Sequence, residues 1–209
     1  MLGIHDYWIF VASAILLNLA PGQDTIYILG RSIGQGRRIG IASALGVSAG
    51  TLVHTVAAAL GLSAIVATSA TAFLIVKLAG AAYLVYLGVR ALWSPSSVLP
   101  TTHEVGTTDA WKAFRQGLVT NVLNPKVALF FLAFLPQFVA VDAPAKTTAF
   151  LLLGLTFVTT GTVWVLILAT AAAQVRTFFA QRPRVQVWIS RAMGGVFVFL
   201  GIRLAVSEQ

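Results

Sequence analysis

Cysteine is missing from the 209 residues, and acids are scarce, six Asp and Glu in all against fourteen Lys and Arg. Without cysteine the chain has no disulfide framework, no thiolate nucleophile and no Cys-based metal site. Charge of either sign is rare as well, 10% of residues where soluble domains carry about 25%. Apolar residues make up 58% and the mean hydropathy is +0.88, so most of the solvent around this chain is lipid. The longest polar stretch, 94–112, is too short for a separate soluble catalytic domain. A phosphate loop of the G-x-x-x-x-G-K-[S/T] type is lacking, as are H-E-x-x-H and G-x-S-x-G. That excludes a single-chain ATP-driven pump and argues against a membrane-embedded hydrolase, with His5, His54 and His103 the only histidines. No Lys or Arg precedes Arg31, so the start lacks the positive region of a secretory signal. The net charge of +8 is spread over short loops, which speaks for membrane topology rather than nucleic acid. No cofactor is implied.

What is present is a series of apolar segments near the length of about 20 residues that a crossing helix needs. Six are read, at 7–29, 40–62, 71–92, 116–138, 147–172 and 187–206. The expected fold is an all-α integral membrane protein, because only helices or closed barrels satisfy every backbone group in lipid. Loop charges orient it. Arg31, Arg37, Arg38, Arg90, Lys112, Arg115, Arg176, Arg182, Arg184 and Arg191 fall to one side; Lys146, with Lys77 and Arg203 at helix edges, falls to the other. The first set marks the cytoplasm and puts both termini outside. As topology determinants these residues need no further role.

The third and sixth segments resemble each other without a gap, 78–92 on 191–205, sharing an aromatic followed by Leu-Gly-(Val/Ile)-Arg at 86–90 and 199–203. The first and fourth share an asparagine-bearing run that meets a proline in mid-segment, Asn18 and Pro21 against Asn121, Asn124 and Pro125. The second and fifth show no match. The expectation is one domain of two inverted three-helix repeats, about 1–93 and 113–209, joined by a linker at 94–112. Broken helices at corresponding positions of two inverted halves are a pointer to a transporter's binding site.

Pro21–Gly22 and Asn124–Pro125 are such breaks. Proline costs about 3 kcal/mol in a helix, and a lone charge at a helix centre about 2.5–3.5 kcal/mol in a bilayer. Asp24 and Lys126 beside the two breaks therefore read as partners, directly or through a substrate. An α-amino-acid zwitterion is complementary to one Asp, one Lys and unwound backbone. Asn18, Pro21, Gly22, Gln23, Asp24, Asn121, Asn124, Pro125 and Lys126 form the candidate substrate site, Asp24 and His54 the proton-coupling candidates. A structural Asp24–Lys126 ion pair, and a merely packed His54, are the open alternatives. Thr156, Thr159, Thr160 and Thr162 read as bonding back to their own helix, with one left to line the pathway. Gly46–Gly50 has GxxxG spacing and reads as packing within the bundle, with a homodimer left open.

With "PGQD" (21–24), "GRRIGIASALGVSAGTLVH" (36–54), "VKLAGAAYLVYLGVRAL" (76–92), "NPKVALFF" (124–131) and "LPQF" (135–138) in view, the chain resembles the LysE/RhtB family of amino-acid exporters. The resemblance implies secondary efflux of amino acids or derivatives through the bacterial inner membrane, coupled to protons, with a metal ion or other small solute as the alternative cargo. The family pattern is usually Pro-Gly-Pro-Asp; Gln23 stands at its second proline and is expected to remove a kink. Some accounts of that family count five crossings, whereas the loop charges here favour six.

Overall fold

A computed structural model of the chain describes residues 2–62, 70–93 and 108–206. Nine helices carry the described fold: α1 Tyr7–Leu19, α2 Gln23–Gln35, α3 Arg37–Ala57, α4 Ala70–Trp93, α5 Ala110–Val122, α6 Pro125–Phe138, α7 Lys146–Thr170, α8 Ala172–Ala180 and α9 Pro183–Val206. After Ala57 the α3 coil widens by one residue per turn as far as Leu62, and α6 widens likewise at Phe130–Phe134 before tightening into Leu135–Phe138. The expected linker lies mostly outside the described residues.

Three helical spans are long and apolar enough to cross a membrane, Arg37–Gly61, Lys146–Thr170 and Arg184–Val206. Two bent pairs, α1/α2 at 49° and α5/α6 at 47°, raise the number to five. The expected crossing at 71–92 is a continuous 24-residue helix, α4, and stands outside that five. The first expected segment is also longer than the reading at 7–29. α2 continues to Gln35 and stops where Gly36 adopts φ 85°, a left-handed conformation suited to glycine.

Proline decides where both bends fall. Ala20 precedes Pro21 and is extended at φ −62°, ψ 122°; Asn124 precedes Pro125 and is extended at φ −78°, ψ 107°. The ring disfavours the helical region for the residue before proline; Ala20 and Asn124 leave it, so α1 and α5 end there and a new helix begins at once, whereas Leu135 before Pro136 stays helical at φ −57°, ψ −39°. Gln23 is the first residue of α2. The first helical position needs no N–H partner and takes proline or another residue alike, so glutamine there does not remove the bend.

The two Leu-Gly-x-Arg segments pack on each other. α4 and α9 cross antiparallel with no room for a Cβ at the contact. A methyl at Gly88 would lie 2.6 Å from the Gly194 carbonyl and 2.7 Å from Val198, and one at Gly201 would lie 2.9 Å from the Ala81 carbonyl and 2.7 Å from Val85. In the gapless alignment Gly88 matches Gly201, Gly194 matches Ala81 and Val198 matches Val85, so one contact is the image of the other. α3 and α5 are joined as closely, Gly46 against the Phe114 carbonyl and Gly117 within 2.5 Å of the Ser43 carbonyl. Gly46–Gly50 thus packs inside the bundle. Gly46→Ala is expected to cost about 1–3 kcal/mol, since overpacking must push two backbones apart. The check is thermal unfolding in detergent beside Gly61→Ala, whose added methyl meets nothing within 4 Å and should leave the midpoint unmoved.

One core gathers Phe10, Phe130, Phe131, Phe134, Phe138 and Phe157 around α6; a second joins Ile28, Leu29, Val47 and Leu168. Trp8, Trp93, Trp111 and Trp188 are 66–79% exposed and all lie near helix ends, where amphipathic rings suit the membrane–water interface. The start of the chain pairs with the segment after α6, His5 N–H to the Phe138 carbonyl at 3.1 Å and Ala140 N–H to Gly3 at 2.8 Å. At the other end of the bundle Arg31 reaches Gln116 at 2.7 Å, and Thr108 N–H reaches Gln35 at 2.9 Å. The basic first and third loops therefore share a side, as their charge requires. Lys77 differs from its expected place at a helix edge: it is buried on α4, 6% exposed.

Candidate functional site

The first break leaves carbonyls without helical partners, and a side chain of the second break takes them up. Ending α1 at Leu19 frees the carbonyls of its last turn. Lys126, one residue past Pro125, donates its Nζ to two of them, Ala20 at 3.0 Å and Leu17 at 3.2 Å. A cation at a helix C-terminus also meets the negative end of the helix dipole. Asn124 caps α6, its Oδ1 accepting from Lys126 N–H at 3.0 Å. That bond fixes the amide so that its NH2 points away from α6, and Nδ2 donates to Asp24 Oδ2 at 3.0 Å. Asn121 does the same from the last turn of α5, at 2.9 Å. Both asparagines are buried, at 1% and 2% exposed.

Asp24 and Lys126 thus do not form an ion pair. The Lys126 ammonium gives two of its three N–H bonds to carbonyls, and one Asp24 oxygen accepts from amides. The other, Oδ1, is buried with no hydrogen-bond partner among the described residues. Of the two readings left open, pairing directly or through a substrate, the direct one is not seen here, because the carbonyls freed at the first break are nearer partners for the ammonium. Asp24 also lies eleven residues before the end of α2, about 16 Å of helical rise, far deeper than a helix ending at 29 would place it.

Asn121 is the hub. Its Oδ1 accepts from Thr51 Oγ1 at 3.3 Å, and its backbone carbonyl lies 3.1 Å from His54 Nε2. A carbonyl can only accept, so that ring nitrogen carries the proton. His54 also stacks on Phe131, with centroids 5.9 Å apart, and its bond holds the end of α5 against α3. Asn18 plays the matching part across the bundle, donating to Thr160 Oγ1 at 3.2 Å and to the Phe157 carbonyl at 3.5 Å on α7. Glycine admits each asparagine: a Cβ at Gly50 would lie 2.7 Å from Asn121, and one at Gly161 3.1 Å from Asn18. Gly50 and Gly161 lie on the second and fifth segments, which showed no match as sequences. Thr156, Thr159 and Thr160 bond back to Leu152, Leu155 and Thr156 carbonyls as expected. Thr162 turns inward to Ser48 Oγ at 2.9 Å.

Two cavities flank the breaks. A small one of about 30 Å³ is walled by Asn18, Asp24, Ser48, Thr51, Asn121, Lys126 and Thr162; it has room for water but falls far below the roughly 300–1,000 Å³ of ligand pockets. A larger one of about 280 Å³ lies on the other side, lined by Pro21, Gly22, Gln23, Tyr83, Arg90, Asn124, Pro125, Lys126 and Ser190 with apolar Ile26, Leu87, Met193 and Phe197. Lys126 faces both. All of the expected site residues except Asn18, Asp24, Asn121 and His54 line the larger cavity. Tyr83, Arg90 and Ser190 were missed because they come from α4 and α9, and no motif spacing joins those helices to the prolines.

A family profile described as "LysE type translocator" matches residues 15–208. A "Leucine efflux protein" of Enterobacter sp. (strain 638) is 30% identical over 97% of this chain and 96% of its own length. A "Homoserine/homoserine lactone efflux protein" of Salmonella typhimurium is 30% identical over 98% of each chain. No solved structure matches the chain.

Proposed function

The chain belongs to the LysE type translocator family, a transporter rather than an enzyme, and on that premise we propose that it exports amino acids or their derivatives from the bacterial cytoplasm by proton antiport. Its relatives at about 30% identity are named for amino-acid efflux, and their names carry leucine and homoserine forward as the first substrates to try. The observation that bears most on mechanism is the exchange of partners between the breaks, Lys126 of one on the carbonyls of the other and Asp24 of one on the amides of the other.

The substrate carboxylate meets Lys126 and the uncapped N–H groups that start α2 in the 280 Å³ cavity. Its ammonium meets the free Asp24 oxygen once Asn121 or Asn124 turns aside. A proton on Asp24 and an ammonium beside it compete for one carboxylate, and such competition couples the two opposite fluxes. The chain crosses the inner membrane six times with both termini outside, in two inverted repeats that rock about Pro21 and Pro125. Supporting this are the matched bends of 49° and 47°, the mirrored Gly88 and Gly201 contacts, and the mirrored Asn121–Gly50 and Asn18–Gly161 contacts.

The test is accumulation of labelled amino acids in inside-out vesicles with and without an imposed pH gradient. Gradient-dependent uptake of leucine, homoserine or another neutral species is the expected result. Failure of every amino acid with the protein inserted would point to a different solute.

A further inference from the structure

Arg90 and Arg203 close the two matching Leu-Gly-x-Arg segments, and charge counting alone makes them topology markers. Each lines a cavity, and the two cavities lie toward opposite ends of the bundle. Arg90 faces the 280 Å³ cavity that leads to Pro21, Gly22 and Lys126. Arg203 faces a cavity of about 300 Å³ with Asp6 and Gln137 at the opposite end of the bundle. The antiparallel Gly88–Gly194 contact sets Arg90 level with about residue 192 of α9, so Arg203 lies eleven residues further along, about 16 Å at 1.5 Å per residue. Neither guanidinium has a hydrogen bond or ion pair among the described residues, and both side chains are solvent-accessible. The flanking positions match as well: Ala91 and Leu204, equivalent in the repeat, stand beside them in the same two cavities.

We propose that Arg90 and Arg203 are paired carboxylate anchors, Arg90 receiving the substrate on the cytoplasmic face and Arg203 holding it before release on the other. This rests on the export reading above and names how the substrate is selected. A planar guanidinium grips a carboxylate with two parallel N–H bonds, which an ammonium cannot do. On the loading side the cavity offers two cations, Arg90 and Lys126, and apolar walls from Ile26, Leu87, Met193 and Phe197. It therefore takes a free carboxylate with a neutral side chain and repels a cationic one. On the release side Asp6 shares the cavity with Arg203, so a zwitterion meets both its partners there. Asp6 is the sole non-glycine residue at positive φ among those described, 52°, and its carboxylate does not cap α1, which leaves it turned to its neighbour His5 at 3.4 Å.

Half-saturation for labelled leucine, measured separately on inside-out and right-side-out vesicles, tests the pair. A single cysteine, Gln181→Cys, put into the cysteine-free chain reports orientation in every variant. Arg90→Gln is expected to raise the half-saturation concentration at least tenfold in inside-out vesicles, with Arg90→Lys recovering only part. Arg203→Gln should give that loss at the opposite face. Leucinamide, which has no carboxylate, should compete poorly with leucine in the wild type and no worse in Arg90→Gln. Variants that insert in the native orientation with unchanged half-saturation on both faces would overturn the proposal. So would variants whose label reverses sides, because the arginines would then be topology charges alone. If the wild type moves no amino acid at all, the export reading falls and this one with it; wild-type uptake with unaltered variants defeats this one only.

Discussion

Asp24→Asn is expected to insert at the wild-type level and to lose export by about tenfold to a hundredfold or more. An asparagine fits the same volume and is cheaper to place in a bilayer than a carboxylate. Its side-chain oxygen can still accept from Asn121 or Asn124, which now reach Asp24 at 2.9 and 3.0 Å. What goes is the charge. A hydrogen bond to a charged group contributes about 1.5–3 kcal/mol, and the buried Asp24 Oδ1 has no partner among the described residues to compete with a substrate ammonium. Proton exchange at the carboxylate goes with it, so the residual rate should no longer respond to a pH gradient. The measurement is initial export rate per inserted molecule, with the gradient imposed and collapsed. An Asn variant that is well inserted, fully active and still driven by the gradient would remove Asp24 from the site.

Lys126→Met should fail differently, losing stability as well as transport. Its Nζ serves the Leu17 and Ala20 carbonyls, which have no helical partner because Pro21 ends the ladder. Each bond to a charged donor is worth about 1.5–3 kcal/mol, and methionine fills the space without offering a donor. In a medium without water those carbonyls stay unsatisfied. The unfolding midpoint in detergent and the yield of inserted protein should both fall well below those of Asp24→Asn, with Lys126→Arg restoring part of the stability. If Lys126→Met is as stable as the wild type, water or a moving neighbour serves the first break instead.

The two variants separate what the breaks do. One break supplies a buried acceptor oxygen left open for the proposed cargo, the other a donor that also holds the bundle together. An ion pair between them would have predicted the same phenotype from either side, since removing one partner leaves the other charge buried and alone.

Much of this was legible in the residues themselves. Low charge and long apolar runs settle a membrane-embedded all-α chain, because in lipid the backbone must satisfy itself. Pro21 and Pro125 mark both bends, since proline disfavours the helical conformation in the residue before it, although Leu135 stays helical before Pro136. Loop arginines show which helix ends lie together, and the side shared by Arg31, Gln116 and Thr108 agrees with them. The Leu-Gly-x-Arg resemblance marks two segments that turn out to touch. These are local or compositional properties, carried by residue type and spacing alone.

Which partner each polar group takes was decided only by the tertiary fold. Asp24 and Lys126 look like a pair on paper because opposite charges in lipid must be answered, yet the sequence does not say that freed carbonyls and capped asparagines stand closer. Gly50 and Gly161 read as packing glycines until the fold sets Asn121 and Asn18 against them. Arg90 reads as a loop charge until α4 and α9 bring it to the cavity wall beside Pro21. Distances across a bundle depend on how helices cross, and crossing is set by every small residue at every contact, so the chemistry of this site exists only once the two halves have closed on each other.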